Sequence, residues 1–268
     1  MFTVIKADKK TEPFSEEKVI ASIKRARIPE TVQADALNHV KTKLYEGITT
    51  QEIYHHILEF LDKTPHQYNK SRYSLKEAIM TLGPSGYPFE DYVGKLLEEM
   101  GYKTRVRQIL NGRCVTHEID VVAEKDNKTA IIEAKFHNSP GTRSDVHVAL
   151  YTQARFEDVQ VRNKIDEVWL VTNTKSTVDA NTYAQCIGMK VISWDFPERQ
   201  GLREMIEETR LYPITMLTSL SQSNKMTLLN NHIVLCKQIQ KDNTLLTVLP
   251  LTKDERDALL AEIAFLSS

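Results

Sequence analysis

The runs Glu118-Ile119-Asp120-Val121-Val122 and Ile131-Ile132-Glu133-Ala134-Lys135 are apolar and β-branched, the composition of buried strands, yet each carries charge where a buried strand should carry none. Side chains alternate along a strand, so Glu133 and Lys135 share one face and Ala134 takes the other, with the two charged residues' Cα atoms roughly 6–7 Å apart. Asp120 precedes Glu133 by thirteen residues, room for a strand end, a polar turn at 124–128 and the start of a second strand. Antiparallel pairing then sets Asp120 beside Glu133. Two carboxylates and an ammonium at one sheet edge are unfavourable unless something occupies the space between them. A divalent metal is the occupant that resolves this.

Outward from these strands the chain alternates helix and strand. Phe89 to Met100 repeats apolar residues at helical spacing (Val93, Leu96, Leu97, Met100), and Gly101 stands where a helix closes on a left-handed residue. Strands are expected near 103–110, 114–123 and 129–136, then a looser stretch at 137–145 containing Pro140 and Gly141. A helix at 146–160, a strand at 167–172, a helix at 177–187 and a strand at 190–194 complete an α-β-β-β-α-β-α-β order, that of an α/β sandwich around a mixed sheet. Before this unit, residues 2–14 read as strand, turn, strand. Ser15 offers an N-cap, and Val19, Ile20, Ile23 and Ala26 line one face of the helix it opens. A second helix carries Val32, Leu37, Val40 and Leu44 and ends at Gly47. Thr49 to Glu52 is a capping box opening a third, with Ile53, Ile57, Leu58 and Leu61 inward, and a fourth spans about 67–82. Leu82-Gly83-Pro84-Ser85-Gly86 breaks the periodicity. After Pro197 come a polar helix at 198–210 and several short helices. The chain thus divides into units at 1–83, 84–200 and 201–268.

Of the 268 residues, 41% are apolar and 26% charged, with a net charge of −1, the balance of an ordinary globular protein. No apolar run reaches membrane-spanning length and no targeting segment precedes the first amphipathic pattern, so no membrane partner and a cytoplasmic location are expected. Three cysteines, Cys114, Cys186 and Cys236, without a CxxC pair, exclude a zinc ribbon and suit reduced thiols. Near-neutral charge means that a nucleic acid must be held by a local basic patch. Lys103, Arg105 and Arg107 alternate along one strand face, Arg113 lies past the turn, and Arg143 sits in the loop at 137–145. They form either a DNA phosphate-binding stripe or the charged guard of an edge strand.

Glu-x-Lys alone is weak evidence, since Glu16-Glu17-Lys18 satisfies it on a helix. The conjunction is stronger. The stretch GYPFEDYVGKLLEEMGY…EIDVV…AIIEAKF, over about residues 86–160, resembles the PD-(D/E)xK nuclease superfamily, and within it the branch of Mrr-type restriction endonucleases and archaeal Holliday-junction resolvases. The resemblance implies a restriction-endonuclease-like α/β core and Mg²⁺- or Mn²⁺-dependent hydrolysis of DNA phosphodiesters. It implies that Asp120 and Glu133 are metal ligands, that the Ala134 carbonyl adds a backbone ligand and that Glu90 binds metal directly or through water. Lys135 would orient the attacking water and offset charge in the transition state. Glu118 shares the Asp120 face as a further candidate ligand, and Gln153 lies where related enzymes place a polar side chain toward the site.

The N-terminal stretch VIKADKKTEPFSEEKVIASIKRA…GITTQEIYHHI…YNKSRYSLKEAI resembles the ATP-cone domain, a mostly helical module that binds ATP or dATP and regulates what it is joined to. On matching positions Val4 and Lys6 would line base and phosphates, Lys18 would reach phosphate from the first helix, and Thr50 would cap the binding helix. Tyr54 falls where many members have histidine, Ala7 where many have arginine, and Lys9 replaces the glycine of the usual turn. Cones often pack against one another, which implies a homo-oligomer, dimer or tetramer.

The leucine-rich C-terminal segment has the rhythm of tandem helix-hairpin-helix units, although Asn231-His232 and Pro250 replace the hairpin glycine. It is expected as a small helical domain that contacts DNA or caps the fold. No GxxxxGK[ST] motor motif is present. Two functions follow: a metal-dependent DNA endonuclease regulated through an ATP cone, or a non-catalytic nucleotide-sensing, nucleic-acid-binding protein that keeps the nuclease fold.

Overall fold

The structure, a computed structural model, describes residues 2–64 and 68–267. β1 (Thr3–Ile5) and β2 (Thr11–Pro13) form an antiparallel hairpin, with Val4 opposite Glu12. Lys9 makes the turn at φ 63°, a backbone that favours the glycine this position lacks. α1 (Glu16–Arg25) starts on Ser15, whose hydroxyl accepts the Lys18 N–H. After α2 (Glu30–Lys41), β3 (Ile48–Thr49) joins β1 in parallel and leads into α3 (Thr50–Asp62). The capping box forms as expected, but Thr49 is the cap and Thr50 the first helical residue. Val4, Ile23, Ala36, Val40, Ile48 and Ile57 close a small core of their own.

The single helix expected over about 67–82 is two. Residue 67 lies outside the described residues; beyond it α4 (Asn69–Tyr73) and α5 (Leu75–Met80) meet at Ser74. The Ser74 hydroxyl donates to the Ser71 carbonyl at 2.8 Å, a local bond that competes with the helical ladder. Leu75, Ala78 and Ile79 of α5 are buried in the larger core of the molecule.

That core is built on a mixed five-stranded sheet. α6 (Tyr87–Glu99) lies tight against β4 (Lys103–Asn111), because a Cβ on Gly94 would stand 2.9 Å from Val106 Cγ1. β4, β5 (Thr116–Lys125) and β6 (Lys128–Lys135) are antiparallel. Asp126 and Asn127 join β5 to β6 with both φ positive, the two-residue turn whose twist matches that of the strands. The chain continues through β7 (Arg143–Ser144), α7 (Val146–Gln160), β8 (Glu167–Thr172), β9 (Lys175–Ser176), α8 (Val178–Ile187) and β10 (Lys190–Ile192). β8 adds in parallel to β6, and β10 to β8, giving the order β10-β8-β6-β5-β4. β7 and β9 pair separately. Ile119, Val122, Ile131 and Leu170 pack on one side with α7 and α8, while Val121, Ile132 and Trp169 pack on the other with α6 and the C-terminal helices.

Those helices are α9 (Leu202–Thr209), α10 (Gln222–Asn230), α11 (Cys236–Lys241) and α12 (Lys253–Ser267). The polar helix expected from 198 begins only at Leu202, since Arg199 is left-handed (φ 64°), and it stops at a second left-handed residue, Arg210. Glu262 of α12 is fully buried and accepts hydrogen bonds from Ser71, Thr218 and Ser219, locking α12 to α4. Among the described residues no helix is long and apolar enough to cross a membrane.

Candidate active site

β5 and β6 pair from Lys125–Lys128 as far as Val121–Ile132 and then part. The next positions along that ladder are Asp120 and Glu133. On the other side the β4–β5 pairing skips Arg107 and Asp120, and Arg107 has φ 51°, a left-handed residue inside a strand. Asp120 therefore sits where the sheet opens on both flanks. Its Oδ2 accepts the Ala134 N–H at 2.8 Å in place of a ladder bond, which holds the carboxylate across the mouth of the gap beside Glu133.

The electrostatics show what this gap lacks. Burial pushes the Asp120 carboxyl above its ordinary range, against the Ala134 hydrogen bond. Burial and then the Asp120 charge do the same to Glu133. Glu90 approaches from α6; burial and Asp120 raise it to about 7 although Arg107 pulls the other way. Three carboxyls raised by burial, two of them also by the Asp120 charge, are short of positive charge, and their oxygens are the donor set of a hard divalent cation. Lys135 favours ionisation of both Asp120 and Glu133. It is half-buried and makes no direct ion pair among the described residues. Glu118 is exposed on the rim.

One side chain at this site escaped the sequence reading. Arg155 of α7 places Nη1 2.6 Å from Glu133 Oε2, with both side chains nearly buried, and its guanidinium lies 4.6 Å from the Tyr151 ring centre. Gln153, the expected residue on this helix, is half-buried and donates to Glu157 at 2.9 Å one turn on, while its Oε1 is sealed from solvent without a partner. Two residues are about 200° apart around a helix, so only one of the pair can face the sheet. The available signal was the buried stripe Ala149, Thr152 and Val159, in which Arg155 takes an inward position.

The expected phosphate stripe is divided. Arg105 pairs with Glu124 at 2.8 Å, Arg143 with Asp8 at 3.0 Å, and Arg107 with Asp91 at 2.7 Å and Glu90 at 3.3 Å. Regular alternation would have put Arg107 on the face opposite Val106; its left-handed backbone turns it toward α6 instead. Lys103 and Arg113 are exposed and form no ion pair among the described residues. The turn after α10, where a DNA-binding hairpin was expected, is tied inward: His232 Nδ1 lies 2.8 Å from Asp91.

A second site lies between the N-terminal unit and the sheet. Lys6, Lys9, Thr50 and Tyr54 line a cavity of about 780 Å³, together with Lys76 of α5 and Ser139 to Thr142 from the loop that follows β6. Val4 is buried in the core, and Lys18 lines a smaller cavity of about 270 Å³ on the other side of Thr50 and Tyr54. Glu12 links the two cavities by pairing with Lys6 at 2.7 Å and with Lys18 at 2.8 Å. The Tyr54 ring stacks on Tyr73, and its hydroxyl donates to Glu77 at 3.1 Å. Sequence reading missed Lys76, whose amine burial depresses to about 7 and whose Nζ donates to the Asn173 carbonyl at 2.6 Å. The Asn173 side chain in turn brackets the His137 backbone, accepting its N–H and donating to its carbonyl.

Three domain descriptions match the chain in succession: the ATP cone domain over residues 2–77, the restriction endonuclease domain over 83–205, and the AF1548-like C-terminal domain over 212–266. An uncharacterized protein of Archaeoglobus fulgidus is 44% identical over 125 residues, which cover 47% of this chain and 71% of that protein. The crystal structure of AF1548, a protein of unknown function, superimposes with a TM-score of 0.58 at 34% identity, covering 68% of this chain and 98% of the other. The MspJI restriction endonuclease in complex with an oligonucleotide is more distant, at 9% identity and a TM-score of 0.35 over 81% of this chain and 43% of that one.

Proposed function

Since the chain belongs to the AF1548-like family and joins an ATP cone to a restriction endonuclease domain, we propose that it is a metal-dependent DNA endonuclease controlled by an adenine nucleotide. The observation that carries this reading is the open end of the β5–β6 ladder, where Asp120 and Glu133 adjoin, Glu90 approaches from α6 and Lys135 stands beside them.

Glu90, Asp120 and Glu133 would hold Mg²⁺ or Mn²⁺ with help from the Ala134 carbonyl. Such an ion polarises a phosphoryl oxygen and makes a bound water a better nucleophile. The chain's own residues do the rest. The Ala134 N–H fixes Asp120, so the ligand needs no reorganisation. Lys135, the one cation here without an ion-pair partner among the described residues, orients the attacking water and compensates charge that grows on the phosphate. Arg155 balances Glu133 before the metal arrives and can swing to a phosphate oxygen when Glu133 becomes a ligand. Lys103 and Arg113 supply backbone contacts to DNA.

ATP or dATP would occupy the larger cavity, with Lys6, Lys9 and Lys76 toward the phosphates and Tyr54 toward the base. The loop that completes this cavity begins directly after Lys135. A bound nucleotide can therefore favour one arrangement of Lys135, provided that it binds the two arrangements with different affinity.

The arginine on Glu133 also favours a second reading, in which the ion pair replaces the metal and the fold only binds nucleic acid. Plasmid cleavage with Mg²⁺ or Mn²⁺, with and without ATP or dATP, separates the two. Cleavage by the wild type that Asp120→Ala abolishes supports the endonuclease; cleavage that survives the substitution removes this site, and none under any condition leaves the second reading.

A further inference from the structure

α2 and α3 pack side by side, and three ligand-type side chains converge along their outer seam. His39 comes from the last turn of α2; His56 and Glu59, one turn apart, come from α3. One donor atom from each lies within 4.8 Å of the other two. Glu59 Oε2 stands 3.9 Å from His39 Nε2 and 3.8 Å from His56 Nδ1, too far for hydrogen bonds. His39 Nε2 is sealed from solvent and has no hydrogen-bond partner. A buried ring nitrogen is normally satisfied, so an orphan aimed at a carboxylate and a second imidazole calls for an occupant. The Phe60 ring packs 5.6 Å from the His39 ring, centre to centre, so an apolar contact helps to set the imidazole's direction. Lys63 takes the other Glu59 oxygen, Oε1, at 2.8 Å and leaves Oε2 facing the imidazoles.

We propose that His39, His56 and Glu59 form a binding site for a divalent transition ion of the zinc type. Zinc bonds to nitrogen and oxygen at about 2.0–2.2 Å, which spaces tetrahedral ligand atoms roughly 3.3–3.5 Å apart. The two separations from Glu59 Oε2, 3.9 and 3.8 Å, close to this by shifts of about half an ångström. Two imidazoles with a single carboxylate suit zinc and its neighbours and do not suit Mg²⁺ or Ca²⁺, which take all-oxygen shells. Three protein ligands leave the fourth position to water. The ion would tie α2 to α3, the helix that carries Thr50 and Tyr54 into the nucleotide cavity, so its occupancy stiffens one wall of that cavity. The site is separate from the carboxylates of the sheet and stands whether or not the protein cleaves DNA.

The test uses the full chain stripped with EDTA and carrying Asp120→Asn and Glu133→Gln, so that the sheet carboxylates take no metal. Zinc is titrated by calorimetry and cobalt by its visible absorption. One equivalent of zinc, cobalt bands of tetrahedral intensity and indifference to excess Mg²⁺ are expected. His39→Gln or His56→Gln should each weaken binding by at least about tenfold. Glu59→Gln, at a half-exposed position that tolerates the change, gives the same loss if a histidine variant disturbs the fold. Absence of saturable zinc uptake, or equal stoichiometry and affinity in the His39→Gln/His56→Gln double variant, would overturn the proposal.

Discussion

Replacing Arg155 by methionine removes the guanidinium from Glu133 and keeps most of the side chain's apolar stem. The 2.6 Å pair is nearly buried at both ends, with 13% and 14% of the two side chains exposed. Breaking such a pair from one side strands a buried charge and costs about 3–5 kcal/mol. At about 2–4 °C per kcal/mol for a chain of this size, that is a fall in Tm on the order of 10 °C. Two further signs follow from the geometry. Burial already raises the folded-state carboxyls of Asp120 and Glu133, so the folded protein holds protons there that the unfolded chain has lost. Stability from this cluster is therefore present at low pH and falls as pH rises from the ordinary carboxylate range through the raised values, and the variant's defect should deepen across that window. The second sign is metal rescue, since a divalent cation supplies the missing charge. At a hundredfold excess over its Kd, a ligand bound only by the folded state adds about 2.7 kcal/mol. Thermal unfolding in EDTA and in Mg²⁺ or Mn²⁺, at two pH values, measures all three effects. A variant that melts within about 2 °C of the wild type in EDTA, or gains no more from metal than the wild type does, would refute the account of a site balanced by Arg155.

Glu90→Gln should stabilise the metal-free protein above neutral pH by about 2–3 kcal/mol, because the carboxyl raised to about 7 is ionised there at a cost. The wild type should lose this stability between pH 4.5 and 7 and the variant should not, as urea unfolding at several pH values would show. Gly141→Val should flatten the response of cleavage to nucleotide. A Cβ at Gly141 would stand 2.4 Å from the Ala7 carbonyl oxygen, so the loop cannot stay against the cone turn. The readout is the ratio of cleavage rates with and without ATP, and a wild-type ratio would count against the loop. Glu262→Ala should destabilise by about 2–3 kcal/mol, since it removes the fully buried acceptor shared by the Thr218 and Ser219 N–H groups and the buried Ser71 hydroxyl. Burial pushes this carboxyl up, but the donors from Ser219, Ser71 and Thr218 outweigh it and hold it below its ordinary value. Its contribution is thus present above about pH 4.5 and is lost as pH falls further, which acid unfolding of the variant and the wild type would reveal.

What could be read from sequence was what repeats. Val93, Leu96 and Leu97 mark α6 by their spacing, and the apolar run 167–172 marks β8 by its length. Asp120, Glu133 and Lys135 stood out because charge interrupts an apolar pattern, and the structure brings Asp120 and Glu133 to neighbouring ladder positions. What could not be read depends on single backbone angles and on distant partners. Arg107 belongs to an alternating stripe on paper, and one left-handed φ turns it to Glu90 and Asp91. Arg155 and Lys76 carry no sequence signal of their roles, because only the folded chain brings Glu133 and the Asn173 carbonyl to them. The helix expected over about 67–82 divides at Ser74, whose hydroxyl competes for the Ser71 carbonyl, a choice that apolar spacing does not reveal.

The proposed coupling between the two sites would run through one loop. Lys135 closes β6; His137, two residues on, is held by Asn173 on one side and by Ser144 on the other, its ring Nε2 lying 2.9 Å from the Ser144 hydroxyl. Ser139 to Thr142 then line the larger cavity, and Arg143 pairs with Asp8 of the cone turn. The same Asn173 whose side chain brackets His137 offers its carbonyl to Lys76, which also faces the cavity. A phosphate group near Lys76 would draw a proton onto an amine now depressed to about 7, and a charged Lys76 would grip the Asn173 carbonyl harder. One end of that chain of contacts is the cavity and the other is His137, two residues after Lys135. A nucleotide that shifted loop 139–142 would thereby reach the end of β6 and Lys135, which is the route the proposed regulation would take.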